Sequence, residues 1–179
     1  MELFWRQGLQ ATTMSDLQRA LGIGRQSLYN TFDSREALFE QALARYVDKA
    51  MGSVASLREA GAGLQELRAF MLTAVEGFAS QPQRMGCFIT QTVVEGGAQN
   101  EAIARVLALA EANRQSAFVA ALTGAASRGE IAADADVDHL ARYLGSQMAG
   151  LAVMARTGAD RETLNGIVDT ALQALPPAP

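Results

Sequence analysis

The sequence predicts an all-α protein in two parts: three short helices at the amino-terminal end, then about six longer ones. Two observations carry this. Apolar residues recur three and four positions apart along nearly the whole chain, the spacing of one helix face. No stretch shows sustained two-residue alternation rich in β-branched residues, as a strand would.

The elements follow in order. The opening MELFWRQ reads as the end of a helix closed by Gly8, its beginning lying before Met1, because so few residues make no stable helix alone. Thr13 is placed to cap a second helix, with Asp16 as the return acceptor. Met14, Leu17 and Leu21 form its apolar face, and Gly22 stops it. A third helix spans about 25–31, anchored by Leu28 and Phe32. Asp33 or Ser34 caps the fourth, which has Glu36 in its first turn and a stripe from Leu38 and Phe39 to Leu57.

Beyond Gly61 and Gly63 the helices lengthen. Leu67, Met71, Val75 and Phe78 mark one that ends before Pro82. Others are expected over about 83–94, stopped by Gly96 and Gly97, and over about 100–127, closed by Gly129. Asp134 or Asp136 caps the next, and Gly158 breaks it. Asp160 opens the last, and the proline-rich tail ends it. The seam between the two parts falls inside the fourth helix near Tyr46, dividing the chain into 1–46 and 47–179.

Composition narrows the function. The 179 residues are 49% hydrophobic and 19% charged, ordinary for a soluble globular protein. No run of roughly 18 apolar residues supports a membrane span, and the start lacks the features of a signal peptide, so the expected compartment is the cytoplasm. Cys87 is the one cysteine and His139 the one histidine, too few for an internal disulfide or a thiolate–imidazole metal site. No metal and no cofactor is expected. No nucleophile with a neighbouring base and no phosphate loop is present, so no enzyme is expected. Net charge is −4, yet its distribution is uneven. Residues 1–32 hold three arginines against two carboxylates, and residues 47–179 hold ten basic against fourteen acidic groups. A nucleic-acid binder needs a basic face, not a basic whole.

The stretch TTMSDLQRALGIGRQSLYNTF carries the function. A capped short helix, a glycine turn and a second short helix form the helix-turn-helix pattern. Leu17, Leu21, Ile23 and Leu28 are expected to bury against one another, so that the second helix turns its outer face to a DNA major groove. That face is Arg25, Gln26, Tyr29 and Asn30. Arginine pairs with guanine, and glutamine or asparagine with adenine. Tyr29 and Thr31 are suited to donate to phosphate oxygens.

Over residues 8–43 the chain resembles the amino-terminal signature of the TetR (tetracycline-repressor) family. The matching residues are Gly8, Thr13, Leu17, Gly22, Leu28, Tyr29, Phe32, Arg35, Glu36 and Leu38. The resemblance implies phosphate contacts from Thr13, Ser15, Tyr29, Thr31 and Arg35, the last standing where the family has lysine. It implies base contacts from Arg25, Gln26, Ser27 and Asn30. Thr31 stands where histidine is common, and Gly24 where serine or threonine often caps. A glycine cap is tolerated at small cost, so these departures do not imply loss of function; their expected effect is on operator preference.

The resemblance further implies a carboxy-terminal part that pairs with a second copy and encloses a small ligand. Dimer contacts are expected from Leu140, Leu144, Met148, Leu151 and Met154, beside the small residues Gly145, Ala149 and Gly150. Leu164, Ile167, Val168, Ala171 and Leu172 are expected to join them from the last helix. The same stripe fits a plain monomer core. Ligand contacts are expected from Phe70, Phe78, Met85, Cys87, Phe88, Phe118 and Met148, with Gln91, Thr92 and Glu95 as the polar groups. At helical spacing these also fit core. His139 has no assigned role.

The expected activity is therefore that of a ligand-responsive repressor. A homodimer binds a palindromic double-stranded operator, and a small-molecule inducer releases it by binding the two states with different affinity. Two alternatives stand beside it. Cys87, near a helix start and Arg84, would serve a thiol-based sensor of oxidants or electrophiles. An all-helical ligand-binding module would leave the face from Arg25 to Asn30 without a DNA role.

Overall fold

In the computed structural model, residues 1–80 and 85–178 are described, with Arg25 described by its backbone alone. Among the described residues there are helices and no strands. They are α1 (Glu2–Ala11), α2 (Met14–Leu21), α3 (Arg25–Thr31), α4 (Arg35–Val54), α5 (Leu64–Ala79), α6 (Phe88–Val94), α7 (Glu101–Ser127), α8 (Val137–Thr157) and α9 (Arg161–Gln173). Short 3-10 turns span Ala55–Arg58 and Gly97–Gln99.

Local chemistry sets most of the boundaries. Ser34 Oγ accepts the Ala37 N–H at 3.0 Å at the head of α4, so the cap is Ser34. Asn100 Oδ1 accepts from Ala102 and Ile103 at the head of α7. Asp136, not Asp134, caps α8 through the His139 N–H, and Asp160 caps α9 through Thr163. Helix α6 begins at Phe88. The expected start near 83 lies outside the described residues, as does Arg84. The first helix does not close at Gly8. It kinks there, at φ 79° and ψ 171°, and resumes to Ala11.

The chain forms two compact units. The first comprises 1–49 and 88–109, the second 50–87 and 110–179. The first boundary lies close to the seam read at Tyr46. Residues 88–109 do not follow the sequence division, and the reason is aromatic packing. Phe88 meets Phe39 at 5.3 Å, Tyr46 at 5.8 Å and Trp5 at 6.1 Å between ring centroids. Trp5 in turn packs on Tyr46, and Phe4 on Phe39, both edge-on. Each such pair contributes about 0.5–1.5 kcal/mol beyond its buried area. Ile103 and Leu107, from the start of α7, are also buried.

The second unit is built on α5, α8 and α9. Leu67, Met71, Val75 and Phe78 of α5 are buried with Leu144, Leu151, Leu164 and Val168 in one core. Ion pairs Arg68–Asp169 (2.7 Å) and Arg161–Glu76 (2.8 Å) join α5 to α9 at the surface. Glu130 accepts the Leu64 N–H at 2.9 Å, supplying an acceptor at the start of α5. Beyond α9 the tail is not loose: the Pro176 carbonyl accepts the Ala132 N–H at 3.0 Å.

Candidate nucleic-acid interface

Helix α2 begins with a reciprocal cap. Thr13 Oγ1 accepts the Asp16 N–H at 3.1 Å, and the Thr13 N–H donates to Asp16 Oδ2 at 3.0 Å. The Thr13 hydroxyl also donates to Asp16 Oδ2, at 2.5 Å. These bonds hold the Asp16 carboxyl below the usual carboxylate range. Two orphan N–H groups are thereby satisfied, which fixes where α2 starts.

Helix α2 ends at Gly22, whose φ of 66° and ψ of 23° are left-handed. That conformation costs L-residues energy and suits glycine. Its N–H donates to the Gln18 carbonyl at 2.9 Å. Gly24 then opens α3 in an extended conformation without a side-chain cap. Leu28 is 0% exposed and Leu17 is buried, so each of the two helices turns one leucine inward.

Leu21 and Ile23 depart from the expectation. They are 49% and 36% exposed. Leu21 shares the face of Leu17, but it is the last residue of α2, and the covered part of that face stops at Gln18. Periodicity assigns a face, not the length over which it is covered.

The outer surface of α3 is exposed at Gln26, Ser27, Tyr29, Asn30 and Thr31, with Tyr29 43% exposed. The Arg25 side chain lies outside the described residues. Gln26 Nε2 donates to Asn30 Oδ1 at 3.2 Å, which orders the two amides one turn apart. Gln26 Oε1 and Asn30 Nδ2 are then an acceptor and a donor for base edges. Thr31 donates its hydroxyl proton to the Ser27 carbonyl at 2.8 Å. On α2, Thr13 and Ser15 are exposed.

Arg35 is placed differently from the rest. Its Nη1 donates to the Thr12 carbonyl at 3.2 Å, and its Nε and Nη2 donate to Glu36 Oε1 at 3.2 and 2.8 Å. Thr12 is buried, and its hydroxyl donates to the Gly8 carbonyl at 2.6 Å. Sequence reasoning did not single out Thr12. Its position four residues after the kinking Gly8 was the available signal.

The expected ligand residues divide between the units. Phe88, Gln91, Thr92 and Glu95 belong to the first. A cavity of about 240 Å³ in that unit is lined by Thr92 and Glu95 together with Gln10, Glu36, Phe39 and Gln99. Phe70, Phe78, Met85, Cys87, Phe118 and Met148 belong to the second. There Phe78, Phe118 and Met148 are core, and Phe70 meets Phe118 edge-on at 5.6 Å. Cys87 is half-buried against the same core.

Most of the expected dimer stripe is buried within its own chain. Leu144, Met148, Leu151, Leu164, Val168 and Ala171 are buried in the core of their own chain. Leu140, Met154, Ile167 and Leu172 are half-buried at its margin. Gly145 lies beneath the Arg114 guanidinium, which is 5.8 Å from the Phe118 ring, so Gly145 faces inward. The outward face of α8 includes Arg142, Ser146, Ala149, Gly150, Val153 and Arg156, and that of α9 includes Gly166 and Thr170. His139 is exposed in the first turn of α8.

Two short helices joined by a left-handed glycine turn, the second outwardly polar, define a helix-turn-helix DNA-binding protein. Residues 1–42 match the family model "Bacterial regulatory proteins, tetR family", and residues 63–171 match "Tetracyclin repressor-like, C-terminal domain". The chain is 31% identical to the HTH-type transcriptional repressor ComR of Escherichia coli (strain K12), over 98% of this chain and 85% of that protein. Among solved structures it is similar to a cysteine mutant of the TetR family transcriptional regulator CifR, complexed with 26-bp double-strand operator DNA. The TM-score is 0.83 at 27% identity, covering 97% of this chain and 91% of that one. A regulatory protein TetR from Rhodobacter sphaeroides shares the fold, with a TM-score of 0.86 at 22% identity, covering 97% and 93%. The chain belongs to the TetR family of bacterial transcriptional regulators.

Proposed function

We propose that this protein is a homodimeric repressor that binds a palindromic operator and is released by a small-molecule inducer. The observation that carries the reading is the surface of α3. Buried Leu28 pins the helix from within, and the polar row from Gln26 to Thr31 faces outward. Arg25, Gln26, Ser27 and Asn30 read base edges. Thr13, Ser15, Tyr29 and Thr31 contact phosphates. In the isolated chain Thr13 and Thr31 give their hydroxyl protons to Asp16 and Ser27, so each must turn its hydroxyl to reach a phosphate. The repressor name of the Escherichia coli relative and the operator DNA held by the CifR mutant support the same reading.

A seven-residue recognition helix reads few base pairs, so two copies are needed for a unique site. The outward face of α8 and α9 serves the pairing. Ser146, Ala149, Gly150 and Gly166 are small enough for two copies to approach closely. The inducer acts by preferring one arrangement of the dimer over the other.

The test is a fluorescence-anisotropy titration against the DNA upstream of the protein's own gene at two salt concentrations. Arg25→Ala is expected to relax sequence preference, and Tyr29→Ala to weaken binding to every duplex. A folded dimer that shows no specific binding would sink the repressor reading and leave a helical ligand-binding protein.

A further inference from the structure

We infer that Arg35 is a positioning residue of the helix-turn-helix, holding the Thr12 carbonyl, and not the phosphate contact that its place in the family signature suggests; this rests on the DNA-binding reading above. Arg35 is the first residue of α4, yet it bonds to a residue 23 positions upstream. Thr12 is the last residue before the Thr13 cap. Fixing its carbonyl therefore fixes the point from which α2 starts. Helix α2 in turn carries buried Leu17 and leads through Gly22, Ile23 and Gly24 into α3.

Geometry leaves the guanidinium poorly placed for a phosphate. The side chain is only 25% exposed, and three of its N–H groups are already used. Glu36 sits against it at 2.8 Å, with its carboxyl held below the usual range by that same guanidinium. The pair presents little net positive charge, and a phosphate would meet the Glu36 carboxylate beside the arginine. The planar fork is what allows one side chain to hold a carboxylate and a carbonyl together. Lysine, which the family has here, offers a point charge without that fork.

The experiment measures binding to an upstream duplex and to a scrambled duplex over a salt series, for the wild type, Arg35→Gln, Arg35→Lys and Tyr29→Ala. Arg35→Gln is expected to weaken the specific duplex about tenfold, the effect of one lost charge-assisted hydrogen bond. It should leave the salt slope unchanged, and Arg35→Lys should recover part of the loss. A phosphate contact would instead reduce the slope of log K against log salt by about 0.9. That result would overturn the inference. Hydrogen exchange without DNA gives a second readout. Arg35→Gln should speed exchange at Asp16 and Leu17 while Leu43 and Val47 keep their protection. Unchanged exchange in the first turn of α2 also overturns it. If Arg35→Gln unfolds, Arg35→Lys carries the exchange readout, since lysine keeps the charge but lacks the fork that holds the Thr12 carbonyl. Wild type that binds no DNA would end the repressor reading while the exchange result still decides the role of Arg35.

Discussion

The Glu95 carboxylate lies directly on Gly8: a methyl group placed there would stand 2.6 Å from Glu95 Cδ. Gln91 Nε2 steadies that carboxylate with a 2.7 Å bond. Helix α6 thus rests on the kink of α1. Two hydrogen bonds then continue to α4, from Thr12 to the Gly8 carbonyl and from Arg35 to the Thr12 carbonyl. Glu95 and the start of α2 are joined in one line through groups in direct contact.

Gly8 separates two effects in that line. Its φ of 79° and ψ of 171° fall in a region that essentially only glycine occupies. Gly8→Ala is expected to lower the unfolding free energy by about 1–3 kcal/mol in urea. The Glu95 side chain is flexible and can swing aside, whereas the backbone strain stays. Gly8→Ala in a Glu95→Ala background should therefore keep more than half of its cost. Full rescue by Glu95→Ala would show that the carboxylate, and not the backbone, demands glycine.

Leu28 and Asn30 lie two residues apart on α3 and should fail in different ways. Leu28 is fully buried, so Leu28→Ala is expected to cost about 2–5 kcal/mol, and DNA binding should go with the fold. Asn30 is exposed, so Asn30→Ala should change stability by less than about 0.5 kcal/mol. It should cost about 1–3 kcal/mol of discrimination at one base position. Thermal melts beside titrations with single-base operator variants check both. Uniform weakening across the variants would make Asn30 a phosphate contact instead.

What was legible in the sequence was local. Thr13 with Asp16, Gly22, the limits of α3 and the Asp160 cap each depend on residues within one turn of each other, and each appears where the pattern put it. Long-range assignments were not legible. Periodicity shows that Leu144, Met148 and Leu151 share a buried face, but the same stripe fits a partner copy or the chain's own α5 and α9. The structure gives it to the chain's own core. Phe88 has the same ambiguity: its place with Trp5, Phe39 and Tyr46 depends on rings more than 40 positions away. Arg35 reads as a cation for DNA because its partner is a backbone carbonyl, which no side-chain pattern reveals.

Acid should loosen the fold through named carboxylates. Asp16 is held below the usual range by bonds from Thr13, Glu36 by Arg35, Glu130 by Arg128 and Leu64, and Asp169 by Arg68. A carboxyl whose folded pKa lies below its unfolded value stabilises fully above the unfolded value, and the gain is lost as pH falls through the folded one. Melting temperature is thus expected to drop progressively below about pH 5. Asp16→Asn removes one titrating group, so its melting curve should fall less steeply in acid. An acid limb identical to wild type would show that the Asp16 cap contributes nothing to the pH dependence.

Val153 and Leu151 are neighbours on α8 that test the pairing face. Val153 is 46% exposed and sits with Ser146, Ala149 and Gly150 on the outward side, whereas Leu151 is core. Placing a charge at Val153 takes nothing from the monomer interior, so Val153→Glu should keep the helical content of the wild type while halving the mass seen by light scattering. Operator affinity should fall with it, because each recognition helix then binds a half-site alone. Leu151→Ala should do the reverse, lowering stability by about 2–5 kcal/mol through a cavity while leaving the mass dimeric at temperatures where it is folded. Should Val153→Glu stay dimeric and Met154→Glu dissociate, the contact would belong to the half-buried margin of Leu140, Met154, Ile167 and Leu172, with the small-residue face left to solvent.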